Sequence, residues 1–253
     1  MKLYSRVLGE GQPLIIIHGL FGMSDNWSSL AKLYADFFEV HLIDQRNHGH
    51  SPHANEFSYL HLSNDLHQYI TDNQLNDVII IGHSLGGKTA MHFAVSFPEL
   101  IHKLIIVDIS PRFYPIHHDK IIEGLKILDF SILKSRSQVD GVLSKYIKDS
   151  DVRQFLLKSI YWKERNQLDF RFNLNAISQN ISNVGEGLNN DANCSVPTLF
   201  IKGENSNYIN DDDEDLIFKH FTNVEIQTMD QAGHWLHAEK PQKFFEMSIR
   251  FCL

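Results

Sequence analysis

Short runs of aliphatic and β-branched residues recur along the chain at positions 14–17, 40–43, 78–81, 104–107, 198–201 and 224–228, each bounded by turn-forming residues. Continuous runs of this length suit strands buried on both faces, as in a parallel sheet. Residues 64–74 and 88–97 carry apolar side chains at helical spacing instead. So does the last stretch, where Phe244, Phe245, Ile249 and Phe251 follow Pro241 on a helical period. Strand and helix in alternation predict an α/β fold, a mostly parallel central sheet flanked by helices.

Residues 112–190 break that rhythm. No strong strand run occurs there, and helical patterns cover 121–128, 139–147 and 152–160. The organisation expected is a core of residues 1–111 and 191–253, with a helical cap of residues 112–190 inserted into it. The acidic run Asp211-Asp212-Asp213-Glu214-Asp215 reads as a solvated loop or a helix start, where carboxylates favour the positive end of the helix dipole.

Composition narrows the function classes. The chain has 253 residues and a net charge of −8, so no nucleic-acid partner is expected, because phosphate binding needs a basic footprint. Cys194 and Cys252 stand outside any paired motif, which implies neither a disulfide framework nor a thiolate zinc site. The first residues lack the apolar core of a signal peptide, and no apolar run is long enough to span a bilayer, so the expectation is a cytoplasmic protein with no membrane partner. Fifteen histidines invite a metal hypothesis. The spacings do not support it: H-E-x-x-H is absent, and the adjacent His117 and His118 diverge on any regular element.

The chemistry concentrates in Gly82-His83-Ser84-Leu85-Gly86, a G-x-S-x-G that follows a predicted strand and precedes a helix. That context predicts a nucleophile elbow with Ser84 as nucleophile. The turn is sharp, so the residues two before and two after must lack bulk; the alternative is a glycine-rich turn with an incidental serine. A serine hydroxyl needs a base to take its proton. Ala232-Gly233-His234-Trp235 lies between the last strand and the last helix, where this architecture puts the base, and His234 is favoured over His237 because Gly233 lets the loop bend. The third member must be a carboxylate that orients the imidazole. Three after Gly203, where an Asp is usual, stands Ser206, and replacing it is expected to matter little. Asp108 ends a predicted strand and keeps the chain order Ser84, Asp108, His234; Glu204 and the acidic run at 211–215 are the competitors.

An oxyanion hole needs two backbone N–H donors. Leu85 supplies one, and Leu20 or Phe21 in His18-Gly19-Leu20-Phe21-Gly22 supplies the other. In Asp44-Gln45-Arg46-Asn47-His48-Gly49-His50-Ser51, Asp44 and Arg46 read as an ion pair that fixes the loop. Phe21, Phe113, Tyr114, Trp162 and Trp235 are candidates for an apolar acyl pocket.

Taken together, HGLFG at 18–22, DQRNHGHS at 44–51, GHSLGGKTAM at 82–91, VDISP at 107–111 and AGHWLHAEKP at 232–241 resemble the YbfF-type bacterial esterases and their mitochondrial abhydrolase-domain relatives, within the α/β-hydrolase superfamily. The likeness spans the whole chain and is least specific in the cap. It implies a cytoplasmic esterase acting on acyl esters and acyl-CoA thioesters, with the acid in the D-I-S-P segment. The reading is therefore a serine carboxylesterase or thioesterase working through an acyl-enzyme on a small-molecule substrate, with no cofactor and no metal. A lyase or a ligand-binding protein on the same scaffold is the alternative. Residues 112–190 hold 12 Lys and Arg against 9 Asp and Glu, leaving −11 on the rest. Lys163, Arg165 and Arg171 are the candidates for steering an anionic acyl carrier, set against an ordinary solvated helical surface.

Overall fold

The computed structural model describes residues 1–116 and 118–253, so His117, half of the adjacent histidine pair, lies outside the described residues. Strands β1 (Ser5–Leu8), β2 (Pro13–Ile17), β3 (Glu39–Ile43), β4 (Val78–His83) and β5 (Ile101–Val107) lead to a hairpin of β6 (Ile160–Glu164) and β7 (Gln167–Phe170), followed by β8 (Thr198–Gly203) and β9 (Val224–Met229). The central sheet has the order β1-β3-β2-β4-β5-β8-β9. Every pairing in it is parallel except β1 with β3.

Period-two alternation explains why the central strands read as unbroken apolar runs. Leu14, Ile16, Ile79, Ile81, Ile105 and Val107 enter one core, while Ile15, Ile17, Ile80, Leu104 and Ile106 enter the other. Helices Tyr59–Asp72, Leu85–Ser96 and Asp211–His220 cover one face, and Ser28–Tyr34 and Pro241–Cys252 cover the other. Both faces are dry, so both alternating sets must be apolar.

Between β5 and β8 lie helices Asp119–Lys126, Arg136–Leu143, Ser150–Lys158, Leu174–Gln179 and Ile181–Val184, together with the β6–β7 hairpin. Helices dominate the insertion as expected, and it carries in addition that hairpin, which the sequence pattern did not signal and whose turn holds Asn166 at a φ of 64°. A third apolar cluster joins Ile122, Val139, Leu143, Leu156 and Ile177 of this segment to Leu20, Phe21, Phe57, Tyr59 and Leu85, at the C-terminal edge of the sheet. Among the described residues no helix is long and apolar enough to cross a membrane.

Candidate active site

Ser84 sits between β4 and the helix Leu85–Ser96 with φ 53° and ψ −116°, a strained backbone for a residue with a Cβ. Its N–H bonds the Val107 carbonyl at 3.1 Å, and its carbonyl accepts the Lys88 N–H at 3.0 Å. The glycines are sterically required: a Cβ on Gly82 would overlap the Gly86 carbonyl, and one on Gly86 would overlap the Ile17 and His18 carbonyls.

One strand over, Asp108 ends β5 with φ 51° and is fully buried. Its Oδ1 accepts the Gly203 N–H at 3.0 Å. Its Oδ2 accepts from His234 Nδ1 at 2.7 Å and from the Ser206 hydroxyl. Ser206 is thus no bystander; from the turn after β8 its side chain reaches the carboxylate across the strand gap. Glu204 is turned elsewhere and accepts the Gln231 N–H at 2.6 Å. Of the acidic run, Asp213 is buried against Arg112 (2.9 Å) and the Ser110 hydroxyl (3.1 Å), in the first turn of helix Asp211–His220.

His234 stacks on Tyr208, ring centroids 3.8 Å apart, and its carbonyl accepts from His83 Nε2 at 2.9 Å. Glu239 ties down the preceding turn by accepting the Gly233 N–H at 2.7 Å. His237, the competitor, lies flat on Trp27 at 4.1 Å; burial, then the charges of His234 and Lys158, push its pKa down to about 3.

The candidate oxyanion loop discriminates between Leu20 and Phe21. Phe21, at φ 61°, gives its N–H to His48 Nε2 at 3.1 Å, whereas no protein acceptor among the described residues takes the N–H of Leu20 or Leu85. The His48 Nδ1–H in turn donates to the Arg46 carbonyl at 2.9 Å, which fixes its tautomer, and burial pushes its pKa down to about 3. His18 does the same for the next loop: its Nε2 accepts the Gln45 N–H at 3.0 Å, and burial lowers its pKa to about 4. The expected Asp44–Arg46 ion pair is corrected. Asp44 accepts the Ser24 and His50 N–H groups at 2.6 and 2.8 Å, while Arg46 pairs with Asp65 at 2.6 Å. Backbone N–H groups satisfy one charge and a helix carboxylate the other, so each fixes the loop separately.

Ser84 and His234 line one cavity of about 270 Å³ with Leu20, Phe21, Phe155, Trp235, Val152 and Leu156. Of the candidate pocket residues, Phe21 and Trp235 line it, and Tyr114 lines a smaller adjoining cleft. Phe113 and Trp162 do neither: they are 61% and 53% exposed, Trp162 on the outer hairpin. Two of the three candidate steering cations have partners of their own. Lys163 pairs with Asp169 at 3.0 Å across the hairpin, Arg171 covers the Tyr161 ring at 3.7 Å, and Arg165 is exposed on the hairpin turn. Sequence reasoning missed Phe155, Tyr208 and Lys88. Phe155 and Tyr208 carry no local signal, because an apolar residue facing a cavity looks like one facing a core. Lys88 had one: a lysine on the apolar helix that follows the elbow.

A family model described as the alpha/beta hydrolase fold matches residues 12–130. A Haemophilus influenzae protein named as an esterase/lipase is 40% identical over 240 residues, covering 94% of this chain and 82% of that protein. Esterase YbfF of Escherichia coli is 32% identical over 243 residues, covering 96% and 93%. The solved structure of a marine microorganism esterase superimposes with a TM-score of 0.96 at 45% identity, covering 99% of each chain. With the parallel sheet and the elbow already described, these likenesses show that the chain belongs to the alpha/beta hydrolases, in their YbfF-type branch.

Proposed function

We propose that this chain is a serine esterase in which Ser84 is the nucleophile, His234 the base and Asp108 the orienting acid, with thioesters as a second substrate class. The observation that carries the reading is the 2.7 Å bond from His234 Nδ1 to a buried Asp108, with Ser84 on the wall of the same cavity as His234. A carboxylate on Nδ1 fixes the proton there and leaves Nε2 basic, the tautomer that a serine nucleophile requires. The esterase names of the relatives support the same reaction class.

In the first half-reaction Ser84 Oγ bonds to the carbonyl carbon as His234 Nε2 takes its proton. The oxygen becomes an oxyanion held by the N–H groups of Leu20 and Leu85, the two left without protein acceptors. The C–O or C–S bond to the leaving group then breaks, and the alcohol or thiol departs with the proton from His234. Water repeats the sequence on the acyl-enzyme and releases the acid. The segment 112–190 is read as a cap that closes the apolar cavity. Two buried free cysteines fit a reducing compartment such as the cytoplasm.

A fluorophosphonate probe is expected to label Ser84, and Ser84→Ala is expected to abolish both labelling and release of p-nitrophenol from a short-chain ester while leaving the circular dichroism unchanged. Turnover that survives Ser84→Ala overturns the reading.

A further inference from the structure

Lys88 lies one helical turn beyond Ser84, and its side chain is buried, only 1% of the residue being exposed. Two of its three donors go to backbone carbonyls, Arg112 at 2.5 Å and Glu186 at 2.6 Å, which tie together the segments leaving and re-entering the core. A carbonyl is a dipole and does not cancel a charge. A buried ammonium is normally matched by an anion, yet among the described residues no carboxylate comes within 4.0 Å of Lys88 Nζ. Asp213, the nearest candidate by its effect on Lys88, is committed to Arg112 and Ser110.

Lys88 forms part of the wall of a cleft of about 30 Å³ that also contains Ser84 and Leu20, and so adjoins the larger cavity. That is room for about two water-sized groups, or one carboxylate. Tyr59 and Tyr114 line the cleft too, but their hydroxyls donate to the Val184 and Tyr208 carbonyls. Lys88 retains a third N–H.

We infer that this cleft is an anion subsite, in which the Lys88 ammonium takes the carboxylate at a short acid end of the substrate while the larger apolar cavity takes the rest. The inference rests on the esterase reading and names its substrate class: esters of short dicarboxylic acids with an apolar alcohol. The size of the cleft sets the length: about 30 Å³ with Ser84 and Lys88 both in its lining leaves room for a carboxylate on a short chain and no more. Burial, then the Arg112 charge, lowers the Lys88 pKa to about 7, so an arriving carboxylate supplies the countercharge that the folded protein does not.

The test compares monohexyl succinate with its neutral isostere hexyl isocaproate, reading released hexanol. The ratio of the two kcat/KM values, charged over neutral, is expected to fall about tenfold or more in Lys88→Met. A lysine that only pins the hinge would leave the ratio where it was, and that result overturns the inference. Should Lys88→Met not fold, the same ratio is followed against pH in His118→Gln protein, because His118 lines the cleft. The other charged or titratable groups around Lys88 are Arg112, Glu186, Asp213, Tyr59, Tyr114 and His92, and burial keeps His92 neutral by lowering its pKa to about 4. Lys88 is charged below about pH 7, so the ratio is expected to drop as pH rises through that value; a flat ratio overturns the inference. Equilibrium binding of both esters to Ser84→Ala, with and without Lys88→Met, needs no turnover. A charge preference lost with the lysine supports the subsite even where the esterase reading fails, and its absence removes the subsite even where that reading holds.

Discussion

At Asp108 a single carboxylate gathers three donors: the Gly203 N–H, the His234 ring and the Ser206 hydroxyl. Each satisfies an oxygen of a wholly buried carboxylate, which would be costly to leave unpaired. Asp108→Asn keeps the shape but turns an acceptor into a donor, so His234 is driven to the wrong tautomer. The expected loss is up to about 10⁴ in kcat; a near-normal rate would clear Asp108 of the orienting role. Ser206→Ala removes one charge-assisted bond and leaves the other two, so kcat is expected to fall about tenfold with KM little changed. Equal activity of Ser206→Ala and wild type would show that the bond does no orienting. Asp108 was legible in the sequence as a candidate beside Glu204 and the acidic run at 211–215, because a carboxylate ending a strand is a local feature. Ser206 was not legible: it is 98 positions away in the chain, and only the adjacency of β5 and β8 brings the two together. That Phe21 gives its N–H to the protein was hidden for a related reason, since it depends on His48, an acceptor on another loop.

Elements were legible in proportion to how far their burial imposed a pattern. The strands inside the sheet, buried on both faces, announce themselves as apolar runs, whereas edge strand β9 alternates Val224, Ile226 and Thr228 with the polar Glu225 and Gln227. β1, an antiparallel edge strand with Val7 half exposed, shows no such run. The β6–β7 hairpin is mostly exposed, and its sequence YWKERNQ is charged, so its strands follow no core periodicity. Trp162 then points to solvent rather than to the pocket. The elbow is the opposite case, because sterics leave it one solution. At Gly86 a methyl group would press on the carbonyls of Ile17, at the end of β2, and His18, in the loop after it. Gly86→Ala is therefore expected to cost about 2 kcal/mol or more in urea unfolding, and to displace the Leu20 loop and reduce activity with it. An unchanged unfolding midpoint would mean that the elbow tolerates a Cβ there.

The molecule as a whole spends many of its histidines as neutral struts around one rim. His18, His48 and His237 are buried, with pKa values lowered to about 4, 3 and 3, and His83 is lowered as well, in each case chiefly by burial. In the unfolded chain each titrates near 6.5. Above that value neither state binds the proton and the full stability is present. As pH falls from 6.5 towards 4 the unfolded state gains protons that the folded state refuses, so stability is lost through that window, each histidine contributing at most about 1.4 kcal/mol per pH unit. Most carboxylates titrate lower, so the loss between pH 6.5 and 5 is expected to be a histidine effect. Urea unfolding measured from pH 7.5 down to 5 should show a steep decline in midpoint. His237→Phe is the sharpest probe: its Nδ1 has no hydrogen-bond partner, and its ring stacks flat on Trp27, as a phenyl ring can. That variant is expected to remain folded and to flatten the decline by about one proton. A wild-type midpoint that holds constant from pH 7 to 5 would show that these rings take up protons without strain, and the neutral-strut account of the rim would fall with it.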